Sequence, residues 1–188
     1  MYRKDKEKGI NMHSIRTRIA TILVVSAALF MMGTGVLTAQ ATAETVTSTG
    51  NRQDIEQIQQ VIKDYVGSVE KLDLDLARKV WSNRPEVSFI HPRGTELSLE
   101  EVLANFYSKT MGTFSKRQLL PDNMDIHVYD DTAWSEFTWT FYATVKDGGP
   151  NITTKGRETQ VYHRENGTWR LVHVHYSGMP ETGKLKGF

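Results

Sequence analysis

Apolar residues along the chain first form one long run and then fall into two different rhythms. Residues Ile19–Leu37 are apolar almost throughout, and no charged residue occurs from Ile19 to Ala43. Residues 44–51 (ETVTSTGN) show no period and predict a flexible linker. Ile55, Ile58, Val61, Ile62, Tyr65, Val66 and Val69 then recur at spacings of three and four, which places them on one face of a helix. Asp73–Trp81 predicts a second, short helix with Asp73 as N-cap. Asn83-Arg-Pro85 ends it, because the residue before proline avoids the helical region. Val87, Phe89 and His91 alternate with Ser88 and Ile90, a short strand that runs to Pro92. Ser98-Leu-Glu-Glu101 is a capping box and opens a third helix with Val102, Leu103, Phe106 and Tyr107 on its apolar side.

From about Arg117 the rhythm changes to period two. Met124, Ile126 and Val128 alternate with polar residues, Asp130-Asp-Thr132 turns the chain, and Ala133–Lys146 is a long strand rich in aromatics and threonine. Asp147-Gly-Gly-Pro150 turns it again, and Thr153–His163 with Thr168–Tyr176 form a last hairpin across Arg164-Glu-Asn-Gly167. Three helices followed by a meander of long strands predict an α+β fold with the helices on one side of an antiparallel sheet. In the last strand Trp169 and Leu171 lie on one set of alternate positions, and Val172 and Val174 on the other. An antiparallel sheet usually leaves one face wet. Bulky residues on both faces therefore predict a homodimer or higher homo-oligomer built through the outer face. A half-exposed surface of β-branched residues, which strands tolerate, is the other reading.

Charge changes what the first run means. Arg3, Lys4, Lys6, Lys8, Arg16 and Arg18 precede it, and Ala39-Gln-Ala41 and Ala41-Thr-Ala43 follow it. A basic start, an apolar stretch and an A-x-A site predict a signal peptide over residues 1–43, with Met12 as an alternative start. The protein is then exported, periplasmic or extracellular, with no stable membrane association after cleavage. An uncleaved anchor is the competing reading, since the run is near the length of about 20 residues that spans a bilayer. The whole chain has net charge +1, but its first 18 residues carry six Lys/Arg against two Asp/Glu. The remainder holds 17 basic and 20 acidic residues, near −3, and offers no basic patch for nucleic acid. There is no cysteine, so stability outside the cell rests on the core and on association rather than on disulfides.

Glu158-Thr-Gln-Val-Tyr-His-Arg-Glu-Asn-Gly-Thr-Trp169 and Arg170-Leu-Val-His-Val-His-Tyr-Ser-Gly-Met-Pro180 carry a resemblance without a gap. They resemble the last hairpin of the association (hub) domain of calcium/calmodulin-dependent protein kinase II. That domain belongs to the cone-shaped superfamily of ketosteroid isomerase, polyketide cyclases of the SnoaL type and nuclear transport factor 2. Arg84-Pro-Glu-Val-Ser-Phe-Ile-His-Pro92 resembles the hub's short strand as well. The resemblance spans residues 52–180 and leaves 181–188 as a tail. It implies three N-terminal helices on a strongly curved antiparallel sheet, a pocket at the open end of the cone, and dimers or rings. Kinase activity is not implied, and fold alone does not assign function.

The same resemblance nominates residues. His91 stands where the isomerase has its catalytic aspartate, and an imidazole suits a general base near neutral pH. Tyr65 resembles the isomerase's oxyanion tyrosine. Both also have plain structural readings, His91 at a strand end and Tyr65 on the apolar face of a helix. The isomerase's protonated aspartic acid falls near Thr159 or Gln160, neither of which can do its work. The hub's three ligand-binding arginines align with Trp139, Gln160 and Tyr176. A carboxylate clamp is thereby replaced by aromatic and amide groups, which suit a neutral or aromatic small molecule. Arg157 compensates if it faces inward, and Trp81, Phe106 and His175 complete the expected lining. His173-Val-His175 puts two imidazoles on one strand face, but no partner carboxylate is evident, so neither a metal nor a cofactor is expected. The functional expectation is an exported module that binds a small molecule or assembles with itself. Its rival is an isomerase, cyclase or dehydratase using His91 as base and Tyr65 as oxyanion donor.

Overall fold

The computed structural model describes residues 46–179. The leader, its cleavage sites, the alternative start at Met12 and the tail 181–188 lie outside the described residues. The first strand, β1 (Val46–Thr49), precedes α1 (Arg52–Lys71) and α2 (Leu74–Val80). The short strands β2 (Ser88–His91) and β3 (Gly94–Glu96) lead to α3 (Leu99–Glu101), which continues as a π-helical segment, Val102–Thr110, and a 3₁₀ turn, Met111–Thr113. Four long strands follow: β4 (Phe114–Tyr129), β5 (Thr132–Val145), β6 (Asn151–Glu165) and β7 (Thr168–Gly178).

The caps act as the sequence predicts. Asp73 accepts a hydrogen bond from the Leu76 amide at the start of α2. Ser98 accepts from the Glu101 amide, while the Glu101 carboxylate reaches back to the Leu97 amide at 2.7 Å. Leu72 ends α1 in the left-handed conformation, and its amide bonds back to the last turn.

All strands join one seven-stranded sheet in the order β1-β4-β5-β6-β7-β2-β3. The long strands β4 to β7 form the expected antiparallel meander. The edges differ from the expectation, because β1 runs parallel to β4 and β2 runs parallel to β7. Residues 46–49, expected within a linker, thus add an edge strand. The fold is α+β and cone-like: the sheet curves around the helices without closing into a barrel. A register shift in β4 between Asp122 and Asp125, and another at Val161/Tyr162 opposite β7, mark irregularities of the kind that bend strands.

Helix α1 packs on β4 and β7. The core holds Ile58, Ile62, Tyr65 and Val69 from α1, with Ala77 and Val80 from α2. The long strands contribute Ile126, Phe137, Phe141, Tyr162, Leu171 and Val174. The π-helical segment turns Val102, Leu103, Phe106 and Tyr107 inward, and all four are buried.

Candidate functional site

A cavity of about 420 Å³ lies between α1, the π-helical segment and the inner face of the sheet. That volume is typical of small-molecule sites. Its buried floor includes Tyr65, Val69, Phe106 and Glu158, and Phe114, Trp139, Phe141 and Tyr176 form much of the wall. Pro92, Arg93, Thr154, Lys155 and Gly178 also line it and are exposed, so the cavity opens on that side.

Strand alternation decides which side chains enter. In β6, Gly156, Glu158, Gln160 and Tyr162 are buried, while Arg157, Thr159, Val161 and His163 point to the other face. Glu158 is paired across β7 with Tyr176, and Thr159 with His175. Trp139 is paired with Gly156, and its indole lies across that residue. A Cβ on Gly156 would overlap the Trp139 ring and the Ser177 carbonyl oxygen. The absent side chain makes the room for the tryptophan.

Glu158 is the chemical centre. It is 4 % exposed, and burial pushes its carboxyl up to about 7. Hydrogen bonds from Gln160 and Tyr65 pull in the opposite direction without cancelling the effect. The Gln160 amide nitrogen donates to Glu158 Oε1 at 2.6 Å. Tyr65 is 1 % exposed, and burial followed by the Glu158 charge raises its hydroxyl well above the ordinary phenol value. It is therefore a hydrogen-bond donor at neutral pH. Ser68 Oγ touches both the Tyr65 carbonyl oxygen and the Tyr107 hydroxyl, which ties α1 to the π-helical segment beneath the floor. A carboxyl that titrates near neutrality beside a phenol, in an apolar hollow, is equipped to accept and return a proton.

The nominated residues separate into three groups. Tyr65, Phe106, Trp139 and Tyr176 meet at the cavity. Gln160 and Trp81 are fully buried beside it without lining it, Gln160 against Glu158 and Trp81 against Tyr65 and Phe89. Arg157 and His175 lie on the outer face in a separate polar depression with Ser177 and Glu136. Arg157 therefore cannot replace the hub's arginines inside the cone.

His91 sits at the end of β2, stacked on Tyr176 with ring centres 5.8 Å apart. Both of its ring nitrogens are engaged. Nε2 lies 2.8 Å from Glu96 Oε2, and Nδ1 accepts the Arg93 amide at 3.2 Å. A neutral imidazole that accepts at Nδ1 must donate at Nε2, so neither nitrogen has a lone pair free for a ligand. Neighbouring Pro92 and Arg93, not His91, line the cavity. His173 and His175 share the outer face, where burial and then the adjacent His175 lower the His173 imidazole, and Ser88 Oγ bonds its Nδ1 at 2.8 Å. Among the described residues no three His, Asp or Glu side chains converge as a metal site would require.

Sequence reasoning missed Glu158 although a signal was present. Placing Gln160 inside the cone puts Glu158 inside too, two residues along the same strand, and puts Arg157 outside.

Helices over an open, curved sheet with a ligand-sized hollow between them define a cone-like α+β protein of the nuclear-transport-factor-2 type. The chain belongs to the SnoaL-like domain family, whose pattern matches residues 58–182. A nuclear transport factor 2-like superfamily protein from Salmonella enterica serovar Typhimurium is 45 % identical, with a TM-score of 0.68, covering 71 % of this chain and 96 % of that one. A candidate dehydratase of the same fold family from Streptomyces avermitilis is 21 % identical, with a TM-score of 0.61 over 68 % of this chain and 97 % of that one. A hexachlorocyclohexane dehydrochlorinase is 17 % identical, with a TM-score of 0.60 over 69 % and 88 %. The last two likenesses are likenesses of fold alone. No curated protein matches the chain.

Proposed function

We propose that the protein binds a small, largely apolar ring compound in the cone and moves a proton on it, as isomerases and dehydratases do, with Glu158 as the base and Tyr65 as the donor. The observation that carries this reading is the buried Glu158 carboxyl, brought to about 7 at the floor of an aromatic cavity and in contact with Tyr65. Ionised Glu158 takes a proton from the carbon next to a carbonyl. The Tyr65 hydroxyl turns to the carbonyl oxygen and stabilises the enolate. Return of the proton from Glu158 to another carbon gives an isomer. If Glu158 instead gives it to a β-hydroxyl, the enolate expels that group as water, the β C–O bond breaks and an α,β-unsaturated product remains. Proteins that share this fold support the class: a dehydrochlorinase, a candidate dehydratase and a candidate ketosteroid isomerase are among them.

Deuterium exchange from solvent into a panel of neutral cyclic ketones and β-hydroxy ketones tests the reading. Exchange is expected to rise with pH through about 7, as Glu158 ionises. It should fall by about 10²- to 10⁴-fold in Glu158→Gln and about 10²-fold in Tyr65→Phe. Exchange that falls above pH 7 would make Glu158 a protonated oxyanion donor instead. Exchange indifferent to both substitutions would end the proposal.

A second reading concerns assembly and place. The outer face of the sheet carries half-buried Trp134, Val161 and Val172 and exposed Ile90. These favour a dimer formed sheet to sheet, as the resemblance of residues 158–180 to the kinase hub also suggests. The basic start, apolar run and A-x-A sites favour export. N-terminal sequencing of the protein recovered outside the cytoplasm should begin at residue 42 or 44.

A further inference from the structure

Behind Glu158 a file of polar groups runs through the core, away from the cavity. Gln160, Tyr162 and Ser135 are each 0 % exposed. Gln160 and Tyr162 alternate with Glu158 on the inner face of β6, and Ser135 faces Gln160 from β5. Buried polar groups in an apolar core cost stability unless each finds a partner, so the arrangement of their hydrogens is constrained.

The direction of the hydrogen bonds follows from counting protons. The Gln160 amide nitrogen donates to Glu158 Oε1. Its carbonyl oxygen can only accept, and the Tyr162 hydroxyl donates to it. Having given its single proton, Tyr162 can only accept from Ser135 Oγ, 2.8 Å away. Ser135 Oγ makes no other hydrogen bond among the described residues, so its hydrogen has this one acceptor. Reversing the file would strand that hydrogen in the core. It would also set the Gln160 carbonyl oxygen against the Glu158 carboxylate, two acceptors face to face.

We propose that Ser135, Tyr162 and Gln160 are positioning residues that form a one-way donor chain, which locks the Gln160 amide nitrogen on Glu158 and keeps the ionised carboxylate available to a molecule in the cavity. The inference rests on the reading of Glu158 as the proton acceptor. Without the lock, the amide turns its oxygen to the carboxyl and accepts a hydrogen bond from the protonated acid, which favours the neutral form. Other groups bear on Glu158 from each side. Tyr65 comes from α1, Tyr107 from the π-helical segment and Tyr176 from β7, and Tyr162 lies on its own strand. Burial raises all four phenols, so they stay uncharged near neutrality. Arg93 and Glu96 act on Tyr176 from the β2–β3 hairpin. Gln160 and Tyr65 are the two groups whose hydrogen bonds lower Glu158.

Carbon-13 NMR of the side-chain carboxyls, with the Glu158 signal assigned by its loss in Glu158→Gln, reads the titration directly. Tyr162→Phe keeps the ring and removes the donor. Its Glu158 midpoint is expected to rise by about one pH unit, and the pH profile of proton exchange should move with it. Gln160→Met removes the donated bond itself and should raise the midpoint at least as far. A folded Tyr162→Phe protein that titrates as the parent does would overturn the chain. The unaltered protein gives a second measurement that needs no core substitution. The side-chain nitrogen-15 shift of Gln160 should follow the Glu158 titration with the same midpoint, and an amide shift that ignores pH would also overturn it. The two proposals fail separately. A raised midpoint with no turnover of any substrate keeps the chain and removes the base, whereas activity lost in Glu158→Gln with an unmoved midpoint in Tyr162→Phe keeps the base and removes the chain.

Discussion

Glu158 works against the stability of the protein that holds it. Its carboxyl sits at about 7 in the fold and near the ordinary 4.5 in the unfolded chain. A raised carboxyl favours the folded state below about 4.5, and that contribution is lost as pH rises through about 7. The difference corresponds to about 3 kcal/mol. Denaturant unfolding at pH 5 and pH 8 should show it, and Glu158→Gln should flatten the dependence while making the pH 8 protein more stable. A variant that is more stable and less active would mark the carboxyl as kept for chemistry rather than for folding. If Glu158→Gln destabilised the protein equally at both pH values, the carboxyl would be a structural group. Only part of this residue's role is legible in the chain. Period two places it inward beside Gln160, but its neutral-range titration comes from burial under helices far away in the chain, against the smaller, opposing hydrogen bonds of Gln160 and Tyr65.

Two contacts between elements keep the cavity open. Arg117, at the start of β4, donates to the Val69 and Glu70 carbonyl oxygens at the end of α1, to the Met111 carbonyl oxygen of the 3₁₀ turn and to the Phe114 carbonyl oxygen of its own strand. Glu70 returns the contact by accepting the Leu119 amide at 2.9 Å. Three elements that line the cavity thus meet at one guanidinium, which also satisfies carbonyls that a helix end leaves unpaired. Arg117→Met should cost about 2–4 kcal/mol in denaturant unfolding, through the several charged hydrogen bonds lost. A cost below about 0.5 kcal/mol would place the clamp among ordinary surface contacts. Gly156 is the second device. Gly156→Ala should push the Trp139 indole off its seat and weaken binding of an aromatic ligand, read as quenching of tryptophan fluorescence; unchanged quenching would remove Trp139 from the site. Neither contact follows from local pattern. Arg117 reads as one more polar residue of a strand, and Gly156 has an ordinary strand conformation that gives no turn signal.

At the scale of the whole molecule, the inner face of the sheet is occupied by helices and cavity, and the outer face is left to solvent or to a second copy. Multi-angle light scattering should give twice the chain mass for the cleaved protein. Val161→Arg, on the outer face of β6, should return it to a monomer without altering the cavity. A monomeric parent would remove the dimer from the proposal and leave the acid–base site untouched, since every group assigned to it belongs to one chain. The clasp at the other side of the sheet is intramolecular. Arg164 lies 4.5 Å over the Trp169 ring and pairs with Asp54 of α1 at 2.8 Å, which fastens the first helix to the last hairpin.

The order and type of the main elements were written in the chain, because apolar periods of 3.6 and 2, caps and turn residues act between near neighbours. The helical face with Tyr65, the capping box at Ser98 and the hairpin of residues 158–180 were all readable in this way, and the family followed from the hairpin. Tertiary structure decided the rest. It gave β1 and β2 parallel partners, which no local signal announces, and turned Arg157 and His175 away from the cone. It also closed both nitrogens of His91 and set Glu158 against Tyr65. Pairing across a sheet and packing of a helix upon it are contacts between distant parts of the chain. A carboxyl's proton affinity is set by what those contacts exclude, above all water.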